Sequence, residues 1–256
     1  YFDLFIKLFE KRKMPNSILL SGLKGLGKST FAYHIINYLL SKDESKKYSV
    51  KDSFIYQDNL SYKLLCANTH PNFFLIENNL LEKNIKIEQV RNLHKFLNKS
   101  SFARNLKIIM IDNAEYLNLN SSNALLKAIE EPKENTFFFV IHDSSTKILD
   151  TIKSRCIEFK FFFTSSEKKN IFKNIIEQYD VKFDNTVLEK NLYFDSPGNL
   201  VRYFINLKTT NLNPNDSKIS FILYFIEKYK KDKNPDTLYL LTLLIEKFYN
   251  ELCLKS

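Results

Sequence analysis

The stretch Gly22-Leu23-Lys24-Gly25-Leu26-Gly27-Lys28-Ser29-Thr30 decides the fold of this 256-residue chain. Three of the four glycines in the whole sequence lie within it. Their spacing, G-x-x-x-x-G-K-S, is that of a P-loop. An apolar run at 18–20 precedes the loop, and residues 31–40 carry apolar side chains at helical spacing. The sequence therefore predicts a buried strand, a glycine loop and a helix in direct succession.

This loop has the chemistry of a polyphosphate site. Glycines let successive backbone N–H groups turn towards an anion, and the helix that begins near Lys28 adds the positive end of its dipole. In the motif, the lysine reaches the β- and γ-phosphates and the serine hydroxyl binds Mg²⁺. We expect ATP with Mg²⁺ as the ligand, and a loop that no longer binds nucleotide is the alternative. The expected binding residues are Gly22, Gly25, Gly27, Lys28, Ser29 and Thr30.

A second predicted strand ends in an acidic residue. Residues 107–111 read Lys-Ile-Ile-Met-Ile and are followed by Asp112. This is the Walker B pattern, in which a strand carries a carboxylate to the edge of the sheet where the P-loop lies. Strands also end in aspartate for reasons of turn chemistry, but the intact P-loop favours a metal role. We expect Ser29 and Asp112 to hold the Mg²⁺ of a bound nucleotide.

Strands and helices alternate over the first 163 residues, which predicts an α/β domain with a five-stranded parallel sheet covered on both faces. The other strands are predicted at 73–76, 136–141 and 157–163, and helices at 85–97, 123–131 and 147–154. Residues 120–122 offer caps for the helix at 123–131. From Thr164 onwards the pattern is helical, interrupted near Gly198 and at a linker over 213–217.

Composition and cysteine usage exclude several classes of protein. Hydrophobic residues make up 44% of the chain and charged residues 26%, and no apolar run reaches the roughly 18 residues of a membrane span. Cys66, Cys156 and Cys253 are scattered, and Cys66 with His70 cannot close a tetrahedral metal site. We predict no membrane association, no zinc and a cytoplasmic location. Because the chain begins with Tyr1, we also expect that a short N-terminal piece is missing and that the C-terminal end is cut.

Several motifs together resemble one known family. Besides the P-loop and the Walker B strand, the chain has Asn-Ala-Leu-Leu-Lys at 123–127, Glu-Glu-Pro at 130–132 and Ser-Arg-Cys at 154–156. Over about residues 1–205 this combination resembles the AAA+ clamp loader subunits of bacterial DNA polymerase III, most closely the delta prime group. The resemblance implies an AAA+ P-loop domain at 1–163, a small helical lid at 164–210 and part of an all-α collar at 211–256. It also implies homologous partners (gamma/tau and delta), with the sliding clamp and primed DNA reached through the complex.

The resemblance gives Arg155 a role outside its own P-loop. In this family the arginine of Ser-Arg-Cys is a finger presented to the γ-phosphate of ATP on the neighbouring subunit, where it offsets charge in the transition state. An exposed arginine near a helix end is the alternative. Cys156 is then expected to be a small buried residue rather than a nucleophile.

The chain departs from the family's motor pattern at the position that governs hydrolysis. An AAA+ ATPase follows the Walker B aspartate with a glutamate, whereas this chain has Asn113, which cannot accept a proton. We therefore expect little hydrolysis by the chain itself, and a gamma/tau-like motor that hydrolyses ATP in its own P-loop is the alternative. A small-molecule P-loop kinase and a structural relic that binds no nucleotide are further alternatives. Glu115 lies on the following turn and is a poor substitute for the missing glutamate. The sensor position after the fourth strand, usually a small polar residue, is His142 or Asp143. The sensor-two arginine expected near Gly198 is displaced, with Asn199 there and Arg202 three residues further on.

The net charge of +9 is compatible with a polyanionic partner such as DNA, although AT-rich coding alone produces the same balance of residues. Basic residues cluster on and beyond the predicted helix at 85–97. Either they form a surface that faces DNA, or they are simply the solvated face of the helix. The basic residues concerned are Lys86, Arg91, Lys95, Lys99 and Arg104.

Overall fold

The computed structural model describes residues 1–78, 84–99, 106–178, 196–208 and 218–255. The chain divides into two compact units, of which the first consists of Tyr1–Gly22 and Gly27–Phe161. The second consists of Leu23–Leu26 and Phe162–Ser256. The helices of the described part include none that combines the length and the apolar character of a membrane span.

The first unit is built on a five-stranded parallel sheet with the strand order β2-β3-β4-β1-β5. The strands are β1 (Ser17–Gly22), β2 (Phe73–Ile76), β3 (Lys107–Ile111), β4 (Thr136–Asp143) and β5 (Ile157–Lys160). The helices of this unit are α1 (Phe2–Glu10), α2 (Lys28–Leu40), α3 (Leu60–Cys66), α4 (Ile87–Asn98), α5 (Leu119–Glu130) and α6 (Asp150–Lys153). The predicted fold class, α/β with a five-stranded parallel sheet, is confirmed.

Both faces of the sheet are covered, which explains the apolar runs of its central strands. Every residue of β1 and β3 is buried, and successive side chains of a strand point to opposite faces. On one face, Leu19, Ile109 and Val140 form a core with Val90 of α4 and Leu125 of α5. A strand that is buried on both faces has no polar alternation, so the continuous apolar runs mark parallel strands.

Several predicted boundaries were wrong by a few residues, and α5 shows the reason. The side chain of Asn118 accepts a hydrogen bond from the Ser121 N–H at 2.8 Å and caps the helix. The helix therefore begins at Leu119 instead of residue 123, since the residues proposed as caps lie inside its first turn. β4 extends through His142 and Asp143, which the sequence had placed after the strand. The sequence analysis also missed α1 and α3.

The second unit is helical in its described part, with α7 (Ser165–Glu177), α8 (Pro197–Lys208), α9 (Lys218–Asp232) and α10 (Pro235–Lys255). A capping box between Thr164 and Glu167 starts α7. One apolar cluster includes buried residues of all four helices, among them Phe172, Tyr203, Phe225 and Leu240. The predicted linker at 213–217 and the boundary at 210/211 between lid and collar lie outside the described residues, so that division stays a prediction.

The only glycine outside the P-loop stretch makes a close backbone contact within the second unit. The Gly198 N–H donates to the Gly25 carbonyl oxygen at 2.9 Å. A Cβ atom at Gly198 would lie 2.8 Å from that oxygen, closer than a side chain can approach. Gly198 is therefore required by this contact.

Candidate nucleotide-binding site

The P-loop residues link the end of β1 to the start of α2, as the sequence predicts. Gly25 and Gly27 adopt φ angles of +84° and +80°, a region that residues with a side chain rarely occupy. Their conformation frees the backbone to curve between strand and helix. Thr30 is exposed on the first turn of α2.

Lys28 is the most deeply placed cation of this loop. Its side chain is buried, and its Nζ donates a hydrogen bond to the Gly22 carbonyl oxygen at 2.6 Å. Burying an ammonium group is costly unless it is hydrogen-bonded or paired with an anion. The bond to Gly22 meets that condition, and because the lysine of a P-loop binds the β- and γ-phosphates, the loop suits a polyphosphate.

Ser29 and Asp112, which are far apart in the sequence, meet at the edge of the sheet. The Ser29 Oγ lies 3.1 Å from each carboxylate oxygen of Asp112. A hydroxyl and a carboxylate are hard oxygen ligands of the kind that Mg²⁺ uses next to substrate phosphates. The pair therefore has the chemistry to hold the magnesium of a bound nucleotide, and it consists of the two residues named for that role in the sequence analysis.

Asn113, which follows the Walker B aspartate, is turned towards the neighbouring strand. Its backbone has a φ of +56°, and its Nδ2 donates to Asn78 Oδ1 at 3.2 Å. Its own N–H donates to Asp112 Oδ1 at 3.0 Å. The bond to Asn78 connects the segments that follow β2 and β3, but an amide at this position accepts no proton from water.

The side chain of Glu115 contacts the last two residues of β4. Its Oε2 accepts a hydrogen bond from the Asp143 N–H at 3.2 Å and lies 3.5 Å from His142 Nδ1. The side chains of Glu115 and His142 are both less than a tenth exposed. Glu115 therefore ties the turn after β3 to β4.

The sequence analysis missed Glu77, the residue directly after β2. Parallel pairing aligns Ile76 with Ile111, so Glu77 and Asp112 are the next residues along two neighbouring strands. Burial, followed by the charge of Asp112, raises the pKa of Glu77 above its ordinary range. A signal was present, because Phe-Phe-Leu-Ile-Glu at 73–77 repeats the pattern of an apolar strand ending in a carboxylate.

The pKa of Tyr33, on the P-loop helix, is affected by the charges of both Glu77 and Asp112. Its pKa is raised to about 12, mainly by burial and then by the charges of Glu77 and Asp112. Tyr33 lies four residues after Ser29, one helical turn further along α2. The two acidic side chains thus lie within electrostatic reach of the helix that the P-loop begins.

Arg155 lies apart from these residues in the sequence, on the turn between α6 and β5. Its Nε donates to Glu130 Oε2 at 3.1 Å, and its Nη1 donates to the Thr151 carbonyl oxygen at 3.0 Å. The side chain is 31% exposed. Burial raises the pKa of the neighbouring Cys156 to about 12, so that sulfur is a thiol at neutral pH and a poor nucleophile.

The remaining predicted residues lie elsewhere. Helix α4 is amphipathic, with Val90, Leu93 and Leu97 buried, and the basic residues Lys86, Arg91, Lys95 and Lys99 are exposed. Arg104 lies outside the described residues.

In the second unit the Asn199 Nδ2 donates to the Tyr239 hydroxyl at 3.3 Å, and Arg202 is exposed on α8. Within the described ranges, no three His, Cys, Asp or Glu side chains come together as metal ligands.

Comparison with known proteins gives a family match over the P-loop unit. The model of the family described as DNA polymerase III, delta subunit, matches residues 1–165. The chain is 33% identical over 155 residues to DNA polymerase III subunit delta′ of Pseudomonas aeruginosa, an alignment that covers 60% of this chain and 45% of that protein. It is 29% identical over 215 residues to DNA polymerase III subunit gamma of Buchnera aphidicola, covering 80% of this chain and 56% of that one.

A solved structure of a DNA polymerase III gamma subunit-related protein from Thermotoga maritima is also similar. The TM-score is 0.48 at 16% identity, with 93% of this chain and 75% of that chain covered. The chain spans about half the length of the curated relatives that it matches.

Proposed function

This chain belongs to the DNA polymerase III, delta subunit, family, and from that premise we propose that it is a delta prime-type subunit of the clamp loader. In this proposal it assembles with gamma/tau and delta subunits in the cytoplasm and helps to place the sliding clamp on primed DNA during replication. The family match over 165 of 256 residues supports the proposal. So does the similarity to a protein named delta′ over the same unit.

The observation that carries the specific role is the placement of Arg155. The Ser-Arg-Cys turn leaves Arg155 partly exposed, while two of its guanidinium nitrogens are held by Glu130 and Thr151. A guanidinium with a fixed plane loses less freedom when it binds a phosphate. Arg155 is thereby prepared to reach the γ-phosphate of ATP on a neighbouring subunit and to offset charge in the transition state.

The chain's own P-loop is proposed to bind ATP with Mg²⁺. Lys28 would bind phosphate oxygens, and Ser29 with Asp112 would hold the metal. When bound, Mg²⁺ neutralises phosphate charge. The 3.1 Å contacts between Ser29 and Asp112 support this part of the proposal.

The second candidate is a gamma/tau-like motor that hydrolyses ATP in its own P-loop. The alignment to a gamma subunit over 80% of this chain favours it. Asn113 argues against it, because that position lacks the carboxylate that activates water. The two candidates differ in whether a neighbouring P-loop depends on Arg155 and in whether the lone chain turns over ATP.

The deciding experiment is ATP turnover by the reconstituted clamp loader carrying Arg155→Ala, with Lys153→Ala as the control. Lys153 is a cation in the same short segment whose ion pair, at 3.7 Å, is with Glu158 instead. We expect turnover at the neighbouring site to fall by on the order of a thousandfold, with ATP binding retained. The control should behave as wild type. A silent Arg155→Ala together with rapid turnover by the lone chain would favour the motor.

A further inference from the structure

We propose that Glu77, at the carboxyl end of β2, activates the attacking water for ATP hydrolysis in this chain's own P-loop. It would supply the carboxylate that Asn113 lacks. The inference rests on the nucleotide site of the proposed function, and it adds a catalytic residue and a slow hydrolytic activity to that site.

The sheet register places Glu77 beside the metal-binding end of the site. The Asp112 N–H donates to the Ile76 carbonyl oxygen at 2.8 Å, so the two strands are still paired where Glu77 begins. Neighbouring strands lie about 4.8 Å apart. Asp112 in turn contacts Ser29 at 3.1 Å. Glu77 is therefore one strand spacing away from Asp112, which with Ser29 would hold Mg²⁺.

The side chain of Glu77 is on the same face of the sheet as that of Asp112. Ile76 and Ile111 are aligned partners, and both are buried in the core on the α4 and α5 side. Because side chains alternate along a strand, the next residue of each strand points to the opposite face. Ser29 of the P-loop helix contacts Asp112 at 3.1 Å, so this face of the sheet is the one on the side of α2.

Glu77 is also accessible, whereas the other candidate base is not. Glu77 is an exposed residue, so water can reach its carboxylate. Glu115 is buried against His142 and bonded to the Asp143 N–H. The bond from Asn113 to Asn78 links the chain just beyond Glu77 to the chain just beyond Asp112. That link keeps together the two chain segments that carry Glu77 and Asp112.

The step that Glu77 would assist is the attack of water on the γ-phosphorus. The Glu77 carboxylate accepts a proton from the water as its oxygen bonds to phosphorus. The bond between the γ-phosphorus and the oxygen that bridges to the β-phosphate breaks. ADP and inorganic phosphate leave, and the proton passes from Glu77 to solvent.

The test uses the full-length protein, reconstituted with partner subunits whose own P-loop lysines are replaced so that only this chain can turn over ATP. Glu77→Gln keeps the shape of the side chain and removes its capacity to accept a proton. Glu88→Gln is the matched control, because Glu88 is an exposed glutamate of the same unit. Lys28→Ala defines the signal that does not depend on the P-loop. ATP binding is measured in parallel with a fluorescent ATP analogue and Mg²⁺.

We expect Glu77→Gln to lower turnover by about 100-fold or more, with ATP binding within about threefold of wild type and Glu88→Gln unchanged. Adding Asn113→Glu to Glu77→Gln should restore turnover, a rescue that a merely structural role for Glu77 would not allow. Unchanged turnover in Glu77→Gln overturns the inference. A wild-type chain that binds ATP with Mg²⁺ but does not hydrolyse it overturns the inference alone and leaves the proposed function standing. No binding of ATP overturns the inference and the proposed nucleotide site of this chain, and it leaves the proposed role of Arg155 on a neighbouring subunit standing.

Discussion

The ion pair with Glu130 helps to orient the guanidinium group of Arg155. Glu130 is the last residue of α5, and Arg155 follows α6, so their ion pair at 3.1 Å joins the ends of two helices. The Glu130 side chain is 55% exposed, and exposed ion pairs contribute only about 0.2–1 kcal/mol. In the proposed complex, the pair would therefore be weak enough to be exchanged for a phosphate contact, and it would orient the guanidinium before that exchange.

Replacing Glu130 should consequently impair the complex far less than replacing Arg155. Glu130→Gln is expected to lower ATP turnover at the neighbouring site by no more than about fivefold, which corresponds to 1 kcal/mol. The measurement is steady-state ATP hydrolysis by the reconstituted clamp loader, with the adjacent exposed Glu131→Gln as control. In the Arg155→Ala background Glu130→Gln should have no further effect. An additional loss there would show that Glu130 acts independently of Arg155.

The three cysteines should differ in reactivity. Cys66 and Cys253 are exposed, and Cys156 is partly buried. Thiolate is the reactive form, and burial raises the pKa of Cys156 to about 12. At pH 8, iodoacetamide should therefore modify Cys66 and Cys253 well before Cys156, as followed by peptide mass spectrometry. Equal labelling of all three in the folded protein would contradict the partly buried position of Cys156, and denatured protein provides the control.

At the scale of elements, the sequence predicts best where one local pattern is enough. The P-loop stretch and the run ending in Asp112 each carry their own signal, so β1, α2 and β3 were predicted correctly. Glu77 was missed because its role depends on the pairing of β2 with β3, and strand order is a long-range property. The start of α5 was missed because Asn118 and the residues at 120–122 are equally good caps by type.

The cap of α5 provides a direct test of that distinction. Asn118→Ala should lower the free energy of unfolding by about 1 kcal/mol, because it removes the acceptor for the Ser121 N–H. Asn120→Ala is the control, since Asn120 is exposed within the helix and alanine favours helices. Urea denaturation followed by circular dichroism measures both. A larger loss for Asn120→Ala would place the start of the helix where the sequence analysis had put it.

At the scale of the whole molecule, the net charge of +9 raises the question of whether any basic residue of this chain meets DNA in the proposed complex. Lys86, Arg91, Lys95 and Lys99 are the exposed cations on and next to α4. The opposite face of this helix is buried through Val90, Leu93 and Leu97, and an amphipathic helix needs a charged outer face whether or not it binds anything. We therefore expect these four cations to be a solvated face.

The salt dependence of DNA binding shows whether these four cations contact DNA or are only a solvated face. Each phosphate contact contributes about 0.9 to the slope of log binding constant against log salt concentration on duplex DNA. Changing all four cations to glutamine should leave the slope for clamp loader binding to primed DNA unchanged. The control variant changes Lys11, Lys13, Lys47 and Lys51, which are also exposed, so each variant lowers the formal charge from +9 by the same four units. A slope reduced only in the α4 variant would show that this helix contacts phosphates, because the control removes the same charge from elsewhere on the chain.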